Sequence, residues 1–502
     1  MSLFGCAAAC CWERTFMNTE RIETPADREL AAFQAELQTL KAEEIDLEVV
    51  EREIVVRLKA VGREMLAVAM KRADTLAPEV EINGKRWGNR RSQSTTYQSI
   101  FGPFDIERSV FQQAGRGRVA VPMDLRLGIA EGAYTPLMAR ILTRGIAVMP
   151  EAEAADFLDE VGLATVSSST LSRFPRAIAA RYERTRDTIE AALREQDIIP
   201  EGTATVQVGL DGVMVPQDGE HARPRGRKTD SPDPPRHEQR YGASAAAPAA
   251  NDGAAGRSWH EASVATLAYF DAEGKRLKTT YIGRMPEAGK ATAVDLLEKE
   301  LMAVVSERED VNVVFASDGA APQWTSLGAI RNRLPGTFSG HTMDLVDAFH
   351  VAEYVQQAAD ALEGKDTPEA RILAATWRES IKEKDDGPAV VIRSMRARLA
   401  SLETEGRRKD LEGAIGYIAN QNALGRMRYA EAARRRYPIG TGITEAAAKT
   451  IVGTRMKRAG ARFSQHGGQT VLTFRAALLS QRFEALHREL HATYKKPVKD
   501  AA

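Results

Sequence analysis

The chain has 502 residues with 69 basic and 69 acidic side chains, so its formal net charge is zero. Its only cysteines, Cys6, Cys10 and Cys11, lie together near the N-terminus, which excludes a disulfide-stapled fold and favours a reducing, cytoplasmic setting. No apolar run approaches the roughly 18 residues that span a bilayer, so we expect no membrane partner.

The zero net charge hides an uneven distribution of basic and acidic residues along the chain. Between Arg426 and Lys499 there are 16 Lys or Arg residues against 4 Asp or Glu residues. A local excess of that size indicates a polyanionic partner. The length predicts two to four domains. Residues 1–25 are predicted to be disordered or an upstream extension, with Met17 as a second possible start.

Residues 26–78 form the first predicted helical region. Asp27, after Pro25, is its expected N-cap. Apolar side chains recur at steps of three and four in a heptad-like seam that is broken at Glu44. Two interpretations stay open, a helical hairpin packed within its own domain and a coiled coil that forms dimers.

Residues 79–125 alternate in polarity and contain turn residues, which predicts a small β-rich element. Residues 126–200 are predicted to be helical. Within them, a helix over 150–162 with a glycine stop precedes a serine-capped helix that begins at Ser167, which is the outline of a helix-turn-helix. That pair either contacts DNA or simply packs inside the protein.

From residue 201 the pattern mixes strands and helices. Three strands, a helix, a strand, a helix and a strand follow one another, which is the element order of an RNase H-like core. A polar segment within this region predicts a mobile loop. The predicted strands are 204–216, 261–270, 276–282, 311–317 and 341–349, the helices are 290–307 and 321–333, and the loop is 217–257.

The remaining chain is predicted to be helical. Residues 351–435 form a large helical insertion, and residues 436–495 return to the core with basic helices at 442–458 and 468–494. We therefore predict an α/β catalytic core of RNase H-like type over 201–350 and 436–495. It carries a large helical insertion and follows a mainly helical N-terminal region with a small β element.

Three acidic residues stand at distinctive places in this core. Asp211 closes the apolar run 206–210, Asp318 closes the run 313–317, and Glu445 lies where a basic helix begins. In the predicted topology the first and fourth strands are neighbours, so the two aspartates would lie about 5 Å apart. Carboxylates so arranged suit a pair of divalent cations over a phosphodiester. The plainer interpretation of each Asp-Gly pair is a turn.

Asp347 and His350 add a second acidic element. Residues three apart share one face where a segment turns into a helix, so the pair would face one pocket, with His350 near a phosphate oxygen. The competing interpretation is a helix-capping aspartate followed by an ordinary core histidine.

The helix after Glu445 carries a run of cations that suits phosphate contact, which is sequence-independent and salt-sensitive. The alternative is a solvated basic helix. The predicted DNA-binding residues are Lys449, Arg455, Lys457, Arg458 and Arg462.

Five segments together resemble bacterial insertion-sequence transposases of the ISKra family, relatives of the Mutator-like group. The resemblance spans about residues 95–480. The segments that carry it are Tyr97–Arg108, Gly209–Gly212, Ser317–Ala320, Leu345–His350 and Pro438–Glu445.

The resemblance implies a DDE transposase in which Asp211, Asp318 and Glu445 form the triad and hold two Mg²⁺ or Mn²⁺ ions. It places Asp347 and His350 on the family's Asp-x-x-His element as further catalytic residues. The implied reaction cuts the ends of an insertion sequence and joins them to target DNA without ATP. The implied partners are the element's terminal inverted repeats, target DNA and further copies of this chain in a dimer or larger assembly, associated with the nucleoid.

Three alternatives stay open from the sequence. One is an RNase H-like nuclease that cuts but never joins. Another is a non-catalytic DNA-binding protein derived from a transposase, which the presence of all three acidic residues disfavours. The third is a helical scaffold without metal.

Overall fold

The protein is described from a computed structural model that covers residues 25–113, 117, 119–218, 257–459 and 461–501. The predicted N-terminal extension with its cysteines lies outside the described residues. The predicted mobile loop does too, except at its two ends, which belong to strands. Within the described residues, no helix combines the length and the apolarity needed to cross a bilayer.

The chain divides into two compact units. The first comprises Met1–Ile141, Ala152–Leu171 and His491–Ala502, and the second comprises Leu142–Glu151 and Ser172–Leu490. The described part of the protein is therefore mixed α/β, with one sheet in each unit.

The first unit holds a five-stranded antiparallel sheet in the order β10-β1-β2-β3-β4. The last strand of the chain pairs with the first, an arrangement that the sequence analysis did not predict. The strands are β1 (Glu79–Ile82), β2 (Lys85–Ser99), β3 (Gly102–Gln112), β4 (Val119–Ala120) and β10 (Val498–Ala501).

Two helices, α1 (Pro25–Leu37) and α2 (Leu47–Lys71), precede that sheet. They contact each other, and the Arg57 guanidinium of α2 lies 4.0 Å from the ring centroid of Phe33 in α1. The two helices thus form a hairpin within this chain, and the coiled coil that forms dimers stays a prediction. The predicted N-cap was wrong, because α1 already begins before Asp27. The predicted break in the apolar seam at Glu44 falls between α1 and α2. The Asp46 side chain caps α2 by accepting hydrogen bonds from the backbone N–H groups of its first turn.

In chain order, four helices lie between β4 and the first strand of the second sheet. They are α3 (Pro122–Leu127), α4 (Pro136–Val148), α5 (Glu151–Glu160) and α6 (Ser168–Gln196). Helices α5 and α6 occupy the predicted helix-turn-helix, and Gly162 between them takes a left-handed φ of 62° that a glycine adopts without strain. DNA contact by this pair stays a prediction.

The second unit is built on a five-stranded sheet in the order β7-β6-β5-β8-β9. Strands β5, β6 and β7 form an antiparallel meander, whereas β8 pairs parallel with β5 and β9 pairs parallel with β8. The strands are β5 (Thr205–Asp218), β6 (Arg257–Phe270), β7 (Arg276–Arg284), β8 (Asn312–Ser317) and β9 (Thr342–Val346), and the helices between them are α7 (Ala291–Glu307) and α8 (Ala321–Arg331).

Burial explains why the middle strands read as apolar runs. Val206, Val208 and Leu210 of β5 are at most 1% exposed, and β8 is buried from Val313 onward. A parallel strand that is covered on both faces loses the alternation of a half-exposed strand. The strand ends are therefore the places where a polar side chain is tolerated.

After β9 the chain is helical up to residue 434, as predicted. Helices α9 to α12 pack their apolar faces into the same core as the sheet. The helices are α9 (Ala348–Glu363), α10 (Pro368–Glu383), α11 (Gly387–Leu399), α12 (Glu405–Ala423) and α13 (Tyr429–Arg434).

The last helices are more broken than predicted. The predicted helix 442–458 contains a π-helical segment, Ala448–Gly453, and the predicted helix 468–494 is interrupted around Gln481, which has a positive φ of 59°. The helices are α14 (Gly442–Ala447), α15 (Thr454–Met456), α16 (Gln465–Leu479) and α17 (Phe483–Tyr494).

Candidate catalytic site

Three aspartates lie in one row at the edge of the second sheet. When the parallel ladders of β5 with β8 and of β8 with β9 are continued, Asp211, Asp318 and Asp347 fall opposite one another. Two hydrogen bonds hold this register, from Ser317 Oγ to the Leu210 carbonyl at 2.9 Å and from Asp347 N to the Ser317 carbonyl at 3.0 Å. Adjacent strands are about 4.8 Å apart, so the row brings the three backbone positions side by side. We call these residues the aspartate row.

Asp211 is constrained by its own backbone and by neighbouring charges. It lies within β5, which continues to residue 218 instead of ending at Asp211 as predicted. Its Oδ1 accepts the Gly212 N–H at 2.7 Å. Burial and, to a lesser extent, the negative charges of Asp318 and Glu261 raise the pKa of Asp211. The carboxylate is thus close enough to Asp318 for the two charges to interact.

Asp318 directly follows β8 and is held by the turn that it starts. Its Oδ1 accepts the Ala320 N–H at 3.0 Å, and its carbonyl accepts the Trp324 indole N–H at 2.6 Å. Arg426 stacks its guanidinium 4.0 Å from the Trp324 ring centroid. The turn after β8 is therefore held by its own hydrogen bonds and by the packing of Arg426 on Trp324.

Asp347 and Glu445 form a second carboxylate pair through Thr441. Asp347 is 1% exposed and caps α9, accepting the Phe349 N–H at 3.1 Å. The Thr441 hydroxyl lies 2.9 Å from Asp347 Oδ2 and 3.3 Å from Glu445 Oε1. Burial first, and then a hydrogen bond and charge repulsion from Asp347, raise the pKa of Glu445. Two like charges this close repel each other unless a cation lies beside them.

The helix that carries Glu445 packs on the face of β5 from which Asp211 projects. Gln207 Nε2 donates to the Gly440 carbonyl at 2.9 Å. Two residues along, a Cβ on Gly209 would overlap the Thr444 hydroxyl, so only glycine admits α14 at this distance. Positions 207, 209 and 211 share one face of the strand because side chains alternate. Glu445 is therefore delivered to the same face as Asp211.

His350 does not join these carboxylates. Its Nδ1 lies 3.9 Å from Glu353 Oε2, and 42% of its side chain is exposed. Among the described residues, no hydrogen bond links it to Asp347. Asp347 is hydrogen-bonded to Thr441, and His350 lies beside Glu353 of its own helix, so a pocket shared by the two stays a prediction.

The basic residues after Glu445 separate into two groups. Lys449, Lys457 and Arg458 are exposed, and Arg462 is partly exposed. Arg455, by contrast, is 3% exposed, and its guanidinium donates to the Ile146 carbonyl from Nε at 3.3 Å and from Nη2 at 3.1 Å. The prediction that Arg455 contacts DNA was wrong, because its charged group is buried against backbone.

The carboxylates fit a divalent cation by donor type but are not assembled into one cage. Among the described residues, no group of three or more His, Cys, Asp or Glu side chains is close enough to hold a metal ion. The acids instead form two pairs, Asp211 with Asp318 and Asp347 with Glu445. Mg²⁺ is held by oxygen ligands, often one or two carboxylates plus substrate phosphates, so each pair suits that ion.

The sequence analysis missed three residues at this site. Thr441 bridges the second pair and lies inside the Gly-Thr-Gly turn that the sequence displays. Lys290 pairs with Glu261 at 3.2 Å and lowers the pKa of Asp211 by its charge. Tyr417 of α12 lies against Gly319. Thr441 had a sequence signal in its glycine neighbours, whereas Lys290 and Tyr417 had none.

Comparisons with solved structures found a weak structural similarity. Neither a protein-family model nor a curated protein matches the chain. Among solved structures, one titled "Crystal structure of a pre-cleavage Mos1 transpososome" is similar over 58% of this chain and 79% of that chain, with 11% sequence identity and a TM-score of 0.13. A TM-score this low does not establish a shared fold.

Proposed function

We propose that this protein is a DNA transposase of the DDE type, with a catalytic core of RNase H-like type in its second unit. The observation that carries the proposal is the aspartate row, with Glu445 delivered to the same face by α14. The strand order of that sheet, an antiparallel meander joined to two parallel strands, supports the fold assignment.

Acidic pairs that hold divalent cations suit phosphoryl transfer. Two divalent cations, when bound by such carboxylates, stabilise the attacking and leaving oxygens of an in-line displacement. The chain's own contribution is positioning: Gly212 N–H and Ala320 N–H orient Asp211 and Asp318, and Thr441 orients Asp347 and Glu445. These hydrogen bonds preorganise the carboxylates within each pair.

The DNA is held by the exposed cations beside the site. Lys449, Lys457 and Arg458 follow Glu445 in the chain. The charge of Lys449 acts on Glu445, so a strand bound at this lysine would pass that acidic residue. Such contacts give affinity without sequence preference. Two element ends must be handled together for joining, which requires at least two copies of the protein.

The test is a cleavage and strand-transfer assay with Mg²⁺ and DNA taken from both flanks of the gene. We expect the wild type to expose 3′-hydroxyl ends and to join them to a target plasmid. Asp211→Ala, Asp318→Ala and Glu445→Ala are each expected to lower cleavage by at least about a hundredfold while DNA binding persists. Cleavage without joining would replace the transposase by a nuclease, and binding without cleavage would leave a DNA-binding protein.

A further inference from the structure

Tyr417 of α12 has a buried hydroxyl without a hydrogen-bond partner among the described residues. Buried hydroxyl groups are normally paired, because leaving one unpaired lowers stability. The Tyr417 hydroxyl is therefore free to take a partner that arrives from outside, such as a water molecule or a ligand.

The position of this hydroxyl identifies the site that it serves. A Cβ on Gly319 would overlap the Tyr417 ring and would lie 2.7 Å from its Oη, so the phenol lies against the residue after Asp318. The charges of Asp318 and Asp347 both act on the phenol. The Tyr417 hydroxyl is therefore next to the aspartate row, on an element that lies outside the sheet.

Tyr417 is also held in a fixed orientation. Its ring stacks on that of Tyr354 with centroids 3.8 Å apart and planes 13° from parallel. Tyr354 belongs to α9, the helix that Asp347 caps. The stack fixes the plane of the phenol relative to the aspartate row, and a donor with a fixed direction binds its acceptor with little loss of entropy.

We propose that Tyr417 contacts the substrate, its hydroxyl donating a hydrogen bond to a phosphate oxygen of the DNA strand at the aspartate row. The inference rests on the proposed function. A phosphate that approaches a row of carboxylates meets charge repulsion, and a neutral donor beside the row supplies an attractive contact. A phenol keeps its proton at neutral pH, and hydrogen bonds to charged oxygens are stronger than those between neutral groups.

The substitution Tyr417→Phe removes this hydroxyl and leaves the ring stack. We would measure the Kd for a labelled DNA duplex by fluorescence anisotropy with Ca²⁺ in place of Mg²⁺, and the thermal midpoint of the free protein. The expected result is a Kd raised about tenfold or more with the thermal midpoint unchanged or higher, because the hydroxyl has no partner in the free protein.

Tyr354→Phe is the matched control, since it removes a hydroxyl from the stacked ring and is expected to leave the Kd unchanged. Tyr429→Phe calibrates the thermal measurement, because the Tyr429 hydroxyl donates to the Val346 carbonyl at 2.8 Å and its loss should lower the midpoint. An unchanged Kd for Tyr417→Phe, with wild-type binding intact, overturns the inference alone. Absence of DNA binding by the wild type overturns both the inference and the proposed function.

Discussion

The Thr441 hydroxyl lies 2.9 Å from Asp347 Oδ2 and so ties the turn before α14 to the end of β9. The Thr441 backbone N–H also points to this carboxylate, 3.3 Å from Oδ1. Both residues are buried, at 6% and 1% exposure. One threonine thus couples the segment that delivers Glu445 to the sheet that carries the aspartates.

Thr441→Val should break that coupling while keeping the side-chain shape. A buried carboxylate that loses a hydrogen bond costs about 1–3 kcal/mol, so we expect unfolding by denaturant to show a loss of that size. Cleavage should fall as well, because Glu445 loses a neighbour that orients it. Thr450→Val is the control: Thr450 is exposed and donates to the Ala446 carbonyl, so its loss should cost less than about 0.5 kcal/mol. Equal losses for both variants would contradict the special role of Thr441.

Glu445→Gln should stabilise the metal-free protein at neutral pH. The pKa of Glu445 is raised above its ordinary value of 4.5, so the folded protein keeps this proton to a higher pH than the unfolded chain. That contribution to stability is fully present below about 4.5 and is lost as the pH rises through the raised pKa. Glutamine does not ionise, so the thermal midpoint of the variant should exceed that of the wild type at pH 7 and the difference should shrink towards pH 4. A difference that does not change with pH would argue against a pKa of Glu445 raised by burial and by the nearby Asp347.

Much of the second sheet was predictable from local patterns. The apolar runs that end near Asp211 and Asp318 correspond to strands that are buried on both faces, where burial leaves a continuous apolar signature. The pairing of β10 with β1 was not predictable, because the four residues of β10 carry no strand signal and meet their partner more than 400 residues away.

The acidic residues of the candidate site could be predicted from the sequence, but the residues that surround them could not. Asp318, Asp347 and Glu445 stand at element ends, and Asp211 follows an apolar run within β5, so the sequence marks all four. Tyr417 reaches the site from a helix whose sequence gives no hint of it. Arg455 was misassigned because a count of basic residues ignores the helix face. It lies three residues after Val452 and four after Ile451, both fully buried, and this spacing puts its side chain on the buried stripe.

Mg²⁺ should stabilise the wild type through the aspartate row. A ligand that binds only the folded state adds about 2.7 kcal/mol at a hundred times its Kd, which is measurable as a rise in the thermal midpoint during a Mg²⁺ titration. Asp318→Asn should reduce this rise, because one carboxylate of the first pair is gone. Asp310→Asn removes the same charge at an exposed place beside Arg308 and should keep the full response. A full Mg²⁺ response in Asp318→Asn would exclude Asp318 as a metal ligand.

Replacement by alanine should affect DNA binding at Lys457 and stability at Arg455. Lys457 is exposed, so Lys457→Ala should weaken DNA binding for every sequence and should reduce the slope of log K against log salt by about one. Arg455→Ala should instead lower the thermal midpoint, because the buried guanidinium no longer donates to the Ile146 carbonyl. Binding titrations at several salt concentrations, together with thermal unfolding of both variants, separate the two effects. A salt slope that is unchanged in Lys457→Ala would remove this lysine from the DNA-binding surface.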